Sequence, residues 1–200
     1  MHGDAFVFLQ NGALDARNPF EVERARPTLD RYRAGLALGG PIVKDRTFFY
    51  AAFEQEHSRS EEDDFVPAAV ASAVNRPLSA FPRLTTRVVT DQFFPVSHAE
   101  TEASGKLNHQ LTQSNSIMLR YAFTNNREAG DAFNTAGWTD PSARGSAFTR
   151  DHAVVGALTT VFNPESVGDL RFQIASRAVV VRTNEARGPG VTIAGLIELH

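Results

Sequence analysis

Residues 105–125, GKLNHQLTQSNSIMLRYAFTN, read as two half-apolar strands joined by a tight polar turn. Ile117, Leu119, Tyr121 and Phe123 alternate with Met118, Arg120, Ala122 and Thr124, the period of two that sends successive side chains to opposite faces of a strand. In the first half Leu107 and Leu111 share a face with His109, while Lys106, Asn108 and Gln110 take the other. A turn centred on Ser114 would set Leu111 opposite Ile117, Leu107 opposite Tyr121 and Asn108 opposite Arg120, so that apolar meets apolar and polar meets polar. A soluble sandwich with its greasy face turned inward satisfies this hairpin as well as a membrane wall does. The choice rests on the connections elsewhere in the chain.

With 200 residues the chain is long enough for one domain with a core, or for part of something larger. A net charge of −3 gives no basic field to argue for nucleic acid. No apolar run approaches the roughly 18 residues of a membrane helix, which excludes a helical membrane protein. There is no cysteine, so disulfide frameworks, thiolate zinc sites and a cysteine nucleophile are excluded together. The opening MHGDAFVFLQ lacks the features of a secretory signal, and the closing GVTIAGLIELH stops inside an apolar segment. Both ends read as cut from a longer protein.

Asp4 to Gln10 is a short Phe- and Val-rich strand, and residues 11–30 form a polar loop holding Pro19 and Pro27. Arg31 to Gly40 sets Tyr32, Ala34, Leu36 and Leu38 against Arg33, Gly35, Ala37 and Gly39. After a tight turn at about 41–45, Arg46 to His57 places Phe49, Ala51 and Phe53 on one face and Tyr50, Ala52, Glu54 and Glu56 on the other. Residues 58–104 read as a long irregular region opening with the acidic run 61–64, with a short helix over Pro67 to Val74. Beyond the central hairpin, whose turn falls at about 112–116, residues 126–149 form another long polar loop. Arg150 to Phe162 and Val167 to Arg182 then pair around a turn at 163–166.

The connections therefore run long, short, long, short, long, short. That alternation is expected of an outer-membrane β-barrel, with tight turns at one end and extended loops at the other. The strands also match the roughly 9 to 11 tilted residues that cross a bilayer. The expected fold is all-β: an antiparallel transmembrane β-barrel arc of about seven strands, filling residues 1–200 as part of a barrel domain. On this reading Leu107, Leu111, Ile117, Leu119, Tyr121, Phe123, Leu170, Phe172 and Ile174 face lipid. Lys106, Asn108, Gln110, Arg120, Asp169, Arg171 and Gln173 face a wet lumen, and Tyr121 and Phe123 lie toward an aromatic girdle.

HGDAFVFLQNGALDARNPF, LALGGPIVKDRTFFYAAFEQ and TEASGKLNHQLTQSNSIMLRYAFTNN together resemble the opening barrel strands of TonB-dependent outer-membrane receptors, and most of all the Oar-like subgroup. The likeness runs over nearly the whole chain, and GGPIVKDRTFF is its most specific part. The resemblance implies a parent protein with a plug domain upstream and a large barrel. That parent would take up a bulky solute, such as a siderophore, glycan fragment or peptide, and its partners would be outer-membrane lipid and an inner-membrane energy-coupling complex. No plug, coupling box or closing strand is legible in this chain, so transport belongs to the parent.

The remaining motifs carry no chemistry. Glu54, Glu56, Glu61, Glu62, Asp63 and Asp64 offer hard oxygen ligands of the kind calcium takes, but without a calcium-loop spacing they read as a solvated loop. The six histidines, His2, His57, His98, His109, His152 and His200, form no zinc-ligand pattern. Gly39, Gly40 and Lys44 lack phosphate-loop spacing, and no nucleophile elbow occurs. Trp138 either stacks a ligand or packs its own loop. Lys106 and Arg120 either touch a solute or neutralise carboxylates across the sheet or on the plug. No enzyme activity, cofactor, metal or nucleic acid is expected. The competing readings are a small barrel of eight strands, with Val191 to Leu199 closing on Asp4 to Gln10, and a soluble β-rich binding or adhesion domain.

Overall fold

The two-residue alternation of the central hairpin recurs in the strands on either side of it, and a computed structural model shows those strands paired into one sheet. The structure describes residues 1–14, 29–82, 87–88, 90–131, 138–139, 144–184, 191–193 and 197–199. In chain order the elements are β1 (His2–Asn11), β2 (Leu29–Val43), β3 (Thr47–Phe65), α1 (Ala68–Leu78), β4 (Asp91–Gln110), β5 (Asn115–Asp131), β6 (Trp138–Thr139), β7 (Gly145–Asn163), β8 (Ser166–Thr183), β9 (Val191–Ile193) and β10 (Ile197–Leu199). Seven of them form an antiparallel sheet in the order β1-β2-β3-β4-β5-β7-β8. Every neighbour in that sheet is also the next long strand in the chain, so it is an up-and-down meander that has not closed on itself.

Three tight turns lie at one end. Val43 to Thr47 is turned through Asp45 at φ 59, a left-handed conformation that Asp tolerates. Between β4 and β5 the Thr112 hydroxyl accepts from the backbone N–H groups of Ser114 and Asn115. Between β7 and β8 the Asn163 side chain accepts from the Glu165 amide. The long connections, β1 to β2, β3 to β4 and β5 to β7, all lie at the other end.

The strands are longer than the sequence suggests. β3 continues to Phe65 and β4 starts at Asp91, pairing Glu61 with Pro95 and Ser60 with Val96 through what reads as an irregular region at 58–104. The acidic run at 61–64 is therefore strand backbone. Likewise β5 runs to Asp131 and β7 begins at Gly145, which trims the loop read at 126–149. Strands of 15 to 20 residues from β2 to β8, excepting β6, exceed the roughly 9 to 11 of a bilayer crossing. Along the outer ends of β3 and β4 the sequence loses the strict apolar alternation that marks a strand before the backbone pairing stops.

The central hairpin is also paired two residues away from the expected register. Leu107 lies opposite Leu119, Asn108 opposite Met118 and His109 opposite Ile117. The strand ends at Gln110, whose side chain bonds the carbonyls of Thr112 and Asn115, and Leu111 falls in the turn. A shift of two keeps every side chain on its expected face, because the side-chain period is also two.

The one helix among the described residues, α1, starts just after Pro67 and extends to Leu78, past the predicted end at Val74. It carries a small core of its own: Val66, Ala71 and Val88 are buried, with Val70 and Val74 against them. Asn75 ties the helix to the returning chain, donating to the Val88 carbonyl at 2.7 Å and accepting from the Val88 amide at 2.9 Å. Ile197–Leu199 pairs with Val191–Ile193 on one side and Trp138–Thr139 on the other in a separate three-stranded sheet, and not with β1. The Trp138 side chain, His200 and residues 15–28 of the first loop lie outside the described residues.

Candidate functional site: a charged concave wall

Residues opposite each other on paired strands share a face, so the register sorts the sheet into two surfaces. On one, Leu107, Leu119, Gly156 and Phe172 form a row across β4, β5, β7 and β8. Ile117, Leu158 and Leu170 form the row on its turn side; Tyr121, Val154 and Ile174 form the row on its loop side. Gly156 leaves room for the Phe172 ring, which a Cβ there would meet at 2.1 Å. These side chains are not covered by a second layer: Leu119 is 49% and Ile174 69% exposed. That overturns the soluble sandwich, which needs them buried.

Eight of the nine residues expected to face lipid are on this surface, the exception being Leu111 in the turn. His109 is there too, at the turn end, hydrogen-bonded to the Thr47 hydroxyl at 2.8 Å. On β5 and β7 the apolar side chains give way at the loop end to His152, Asn125, Arg150 and Arg127. On β1 and β2 they continue to Leu9 and Tyr32, in the same cross-strand row as Arg127. An apolar band that climbs across the rows in this way is what tilted strands produce.

The opposite surface is polar and concave. A hollow of about 430 Å³ lies against it, lined from β1 to β5 by Asp4, Phe6, Tyr50, Glu54, Glu102 and Arg120 among others. All seven residues expected to face a lumen are here, in three adjacent rows. Lys106 and Arg120 share a row with Val155 and Gln173, Asn108 shares one with Met118 and Arg171, and Gln110 shares one with Ser116 and Asp169. Arg171 is held by Asp169 at 2.7 Å. Lys106 and Arg120 are directly opposite each other and neither pairs with a carboxylate among the described residues, so of the alternatives open for them, neutralisation by a carboxylate across the sheet is not seen there.

Toward the loop end the same surface turns acidic. Glu54 lies opposite Glu102 and Glu56 opposite Glu100. Arg33 bonds Glu54, and Arg31 reaches Glu56 at 2.9 Å. Asp151 takes a two-pronged contact from Arg177 at 2.7 and 2.8 Å, and His98 sits 3.4 Å from Glu100 and 3.6 Å from Glu128. At the loop end Arg144 is buried, lies 3.8 Å above the Phe94 ring, and bonds Glu62 at 2.8 Å and the Gly130 carbonyl at 2.9 Å. The sequence reading missed Glu100, Glu102 and His98 because it left residues 58–104 without a register. Asp151 and Arg177 were legible as same-face partners once β7 and β8 were aligned through the Asn163 turn. Among the described residues no group of three or more His, Asp or Glu is arranged to hold a metal ion.

Residues 1–93, just under half of the chain, match the family model of an outer membrane beta barrel domain. Comparison with curated proteins and with solved structures returns no match. The meander of long antiparallel strands and the family match together define an outer-membrane β-barrel protein, resident in the outer membrane.

Proposed function

We propose that this sheet is part of the barrel wall of a TonB-dependent receptor of the Oar-like kind, through which a bulky polar solute is taken up with energy from an inner-membrane complex. On this reading the concave polar face lines the lumen, the apolar face meets lipid, and the long connections with α1 project outside the cell. The observation that carries it is the breadth of the charged concave face. Seven strands with β1 and β8 at opposite edges still form an open arc, and its inner surface bears ionised groups over most of its height. A small barrel is the second reading, and the family match, which names a barrel domain, is equally compatible with it.

The chain has no cysteine, so single cysteines are clean reporters. In native outer membranes Arg120→Cys should react with a water-soluble maleimide and Leu119→Cys should not; equal reactivity would sink the face assignment. Capture of the full-length gene product by the periplasmic domain of TonB tests the receptor itself. Correct labelling without capture points to the small passive barrel.

A further inference from the structure

We infer that Arg127 and Arg150, set on either side of Phe148, form a binding site for the phosphate headgroup of an outer-leaflet lipid. The inference rests on the face assignment proposed above and adds a ligand to it. Arg127 lies directly opposite Phe148, and Arg150 lies opposite Asn125 one same-face position closer to the apolar band. Their guanidinium carbons sit 5.3 and 5.1 Å from the Phe148 ring centroid. Both arginines are exposed, and neither has a carboxylate partner among the described residues. The ring lies within cation–π reach of both guanidinium groups, and with no carboxylate holding them their N–H groups are available for the paired hydrogen bonds with which arginine takes a phosphate.

The distribution of charge selects the ligand. Across the rows of Arg150 and Arg127, from Val7 and Leu9 on β1 to Ala178 and Val180 on β8, the apolar-side surface carries no Asp or Glu. At the same height the concave surface carries five carboxylates, Glu54, Glu56, Glu100, Glu102 and Asp151, against two arginines, Arg33 and Arg177, and is net acidic. Unpaired cations outside and an excess of carboxylates inside would repel an anion from the lumen and attract one at the outer wall. The pair stands just beyond Tyr121, Phe123 and His152, at the long-loop end. That is the level of the outer-leaflet headgroups, so the anion it meets is attached to a lipid.

Native mass spectrometry of the full chain in detergent micelles, titrated with diphosphoryl lipid A, tests this. The wild type should prefer the diphosphoryl form to its dephosphorylated counterpart. At roughly fivefold per arginine beside an anionic headgroup, Arg127→Gln with Arg150→Gln should weaken binding about 25-fold. Asn125→Glu, which keeps both arginines but sets a carboxylate opposite Arg150, should cost about fivefold. Lys106→Gln with Arg120→Gln removes the same charge from the concave face and should leave affinity within about twofold. The inference is overturned if the outer pair can be removed with no more loss than that, if the inner pair matters equally, or if inorganic pyrophosphate displaces the lipid at equal concentration. Failure of the face assignment would appear separately, as labelling of Leu119→Cys.

Discussion

Leu119→Arg is the substitution that most directly asks what the apolar surface touches. Leu119 lies in the row Leu107, Leu119, Gly156 and Phe172. Along β5 the nearest polar side chains of the same face are Asn115 toward the turns and Asn125 toward the loops. At about 3.3 Å per residue these are roughly 13 and 20 Å away, and a strand tilt of about 40° leaves roughly 10 and 15 Å along the membrane normal. A guanidinium there can bend toward the turn end but stays below the headgroups for most of its length. An arginine at the bilayer midplane costs about 2–4 kcal/mol in a barrel, so about 2–3 kcal/mol is expected at this depth. Ala122→Arg, on the concave face, should cost less than about 0.5 kcal/mol. Urea unfolding in phospholipid vesicles, followed by emission of the single tryptophan, Trp138, reads both. With a slope of about 2 kcal/mol per molar, Leu119→Arg should lower the midpoint by roughly 1 M and Ala122→Arg by less than about 0.3 M. Equal losses, or no loss at Leu119, would refute the reasoning.

Two further outcomes follow from the register. Lys106→Glu converts a like-charged pair into an opposite-charged one across from Arg120 and should raise the unfolding midpoint by the equivalent of about 0.5 kcal/mol; a fall would mean that the lysine already has a carboxylate partner. Gly130→Ala puts a Cβ 2.0 Å from the Pro95 carbonyl oxygen at a residue with φ 82, at the bulge between Ala129 and Asp131. It should cost at least about 2 kcal/mol. The damage should stay near Arg144 and Phe94, so amide exchange should quicken at the loop ends of β4, β5 and β7 while Ile117 to Phe123 remain protected. Uniform quickening would contradict a local role.

The faces were legible in the sequence wherever one side of a strand had to be greasy. Ile117, Leu119, Tyr121 and Phe123 announce their surface by composition alone, and the register errs by two without misplacing one of them. Strand length was not legible, because hydrophobic alternation marks only the part of a strand with an apolar environment on one side. From Ser58 to Phe65 and from Asp91 to Thr101 the backbone pairs all the same, but the sequence there keeps no two-residue apolar alternation: Phe93 and Phe94 stand side by side, Pro95 follows, and acids and a histidine are interspersed. Glu100 and His98 lay in that stretch and Glu102 just beyond it, so the partners that face Glu54 and Glu56 on the concave wall went unread. Lys106 and Arg120 show a different limit: their face could be read, but which charge stands opposite which depends on the turn, and the Thr112 hydroxyl and Gln110 side chain that fix it follow no sequence period.

Turn length also sets an order of assembly. β2 with β3, β4 with β5, and β7 with β8 are each joined by a few residues, so each couple can zip from its turn with little closure entropy. The links across 12–28, 66–90 and 132–144 cost more to close, and they reward the chain only once a ready-made couple meets another couple or, for 12–28, the single strand β1. The sheet is therefore a set of prefabricated ribbons laid edge to edge. A lesion in one of the short bends should delay maturation more than a larger lesion in any of the outer loops.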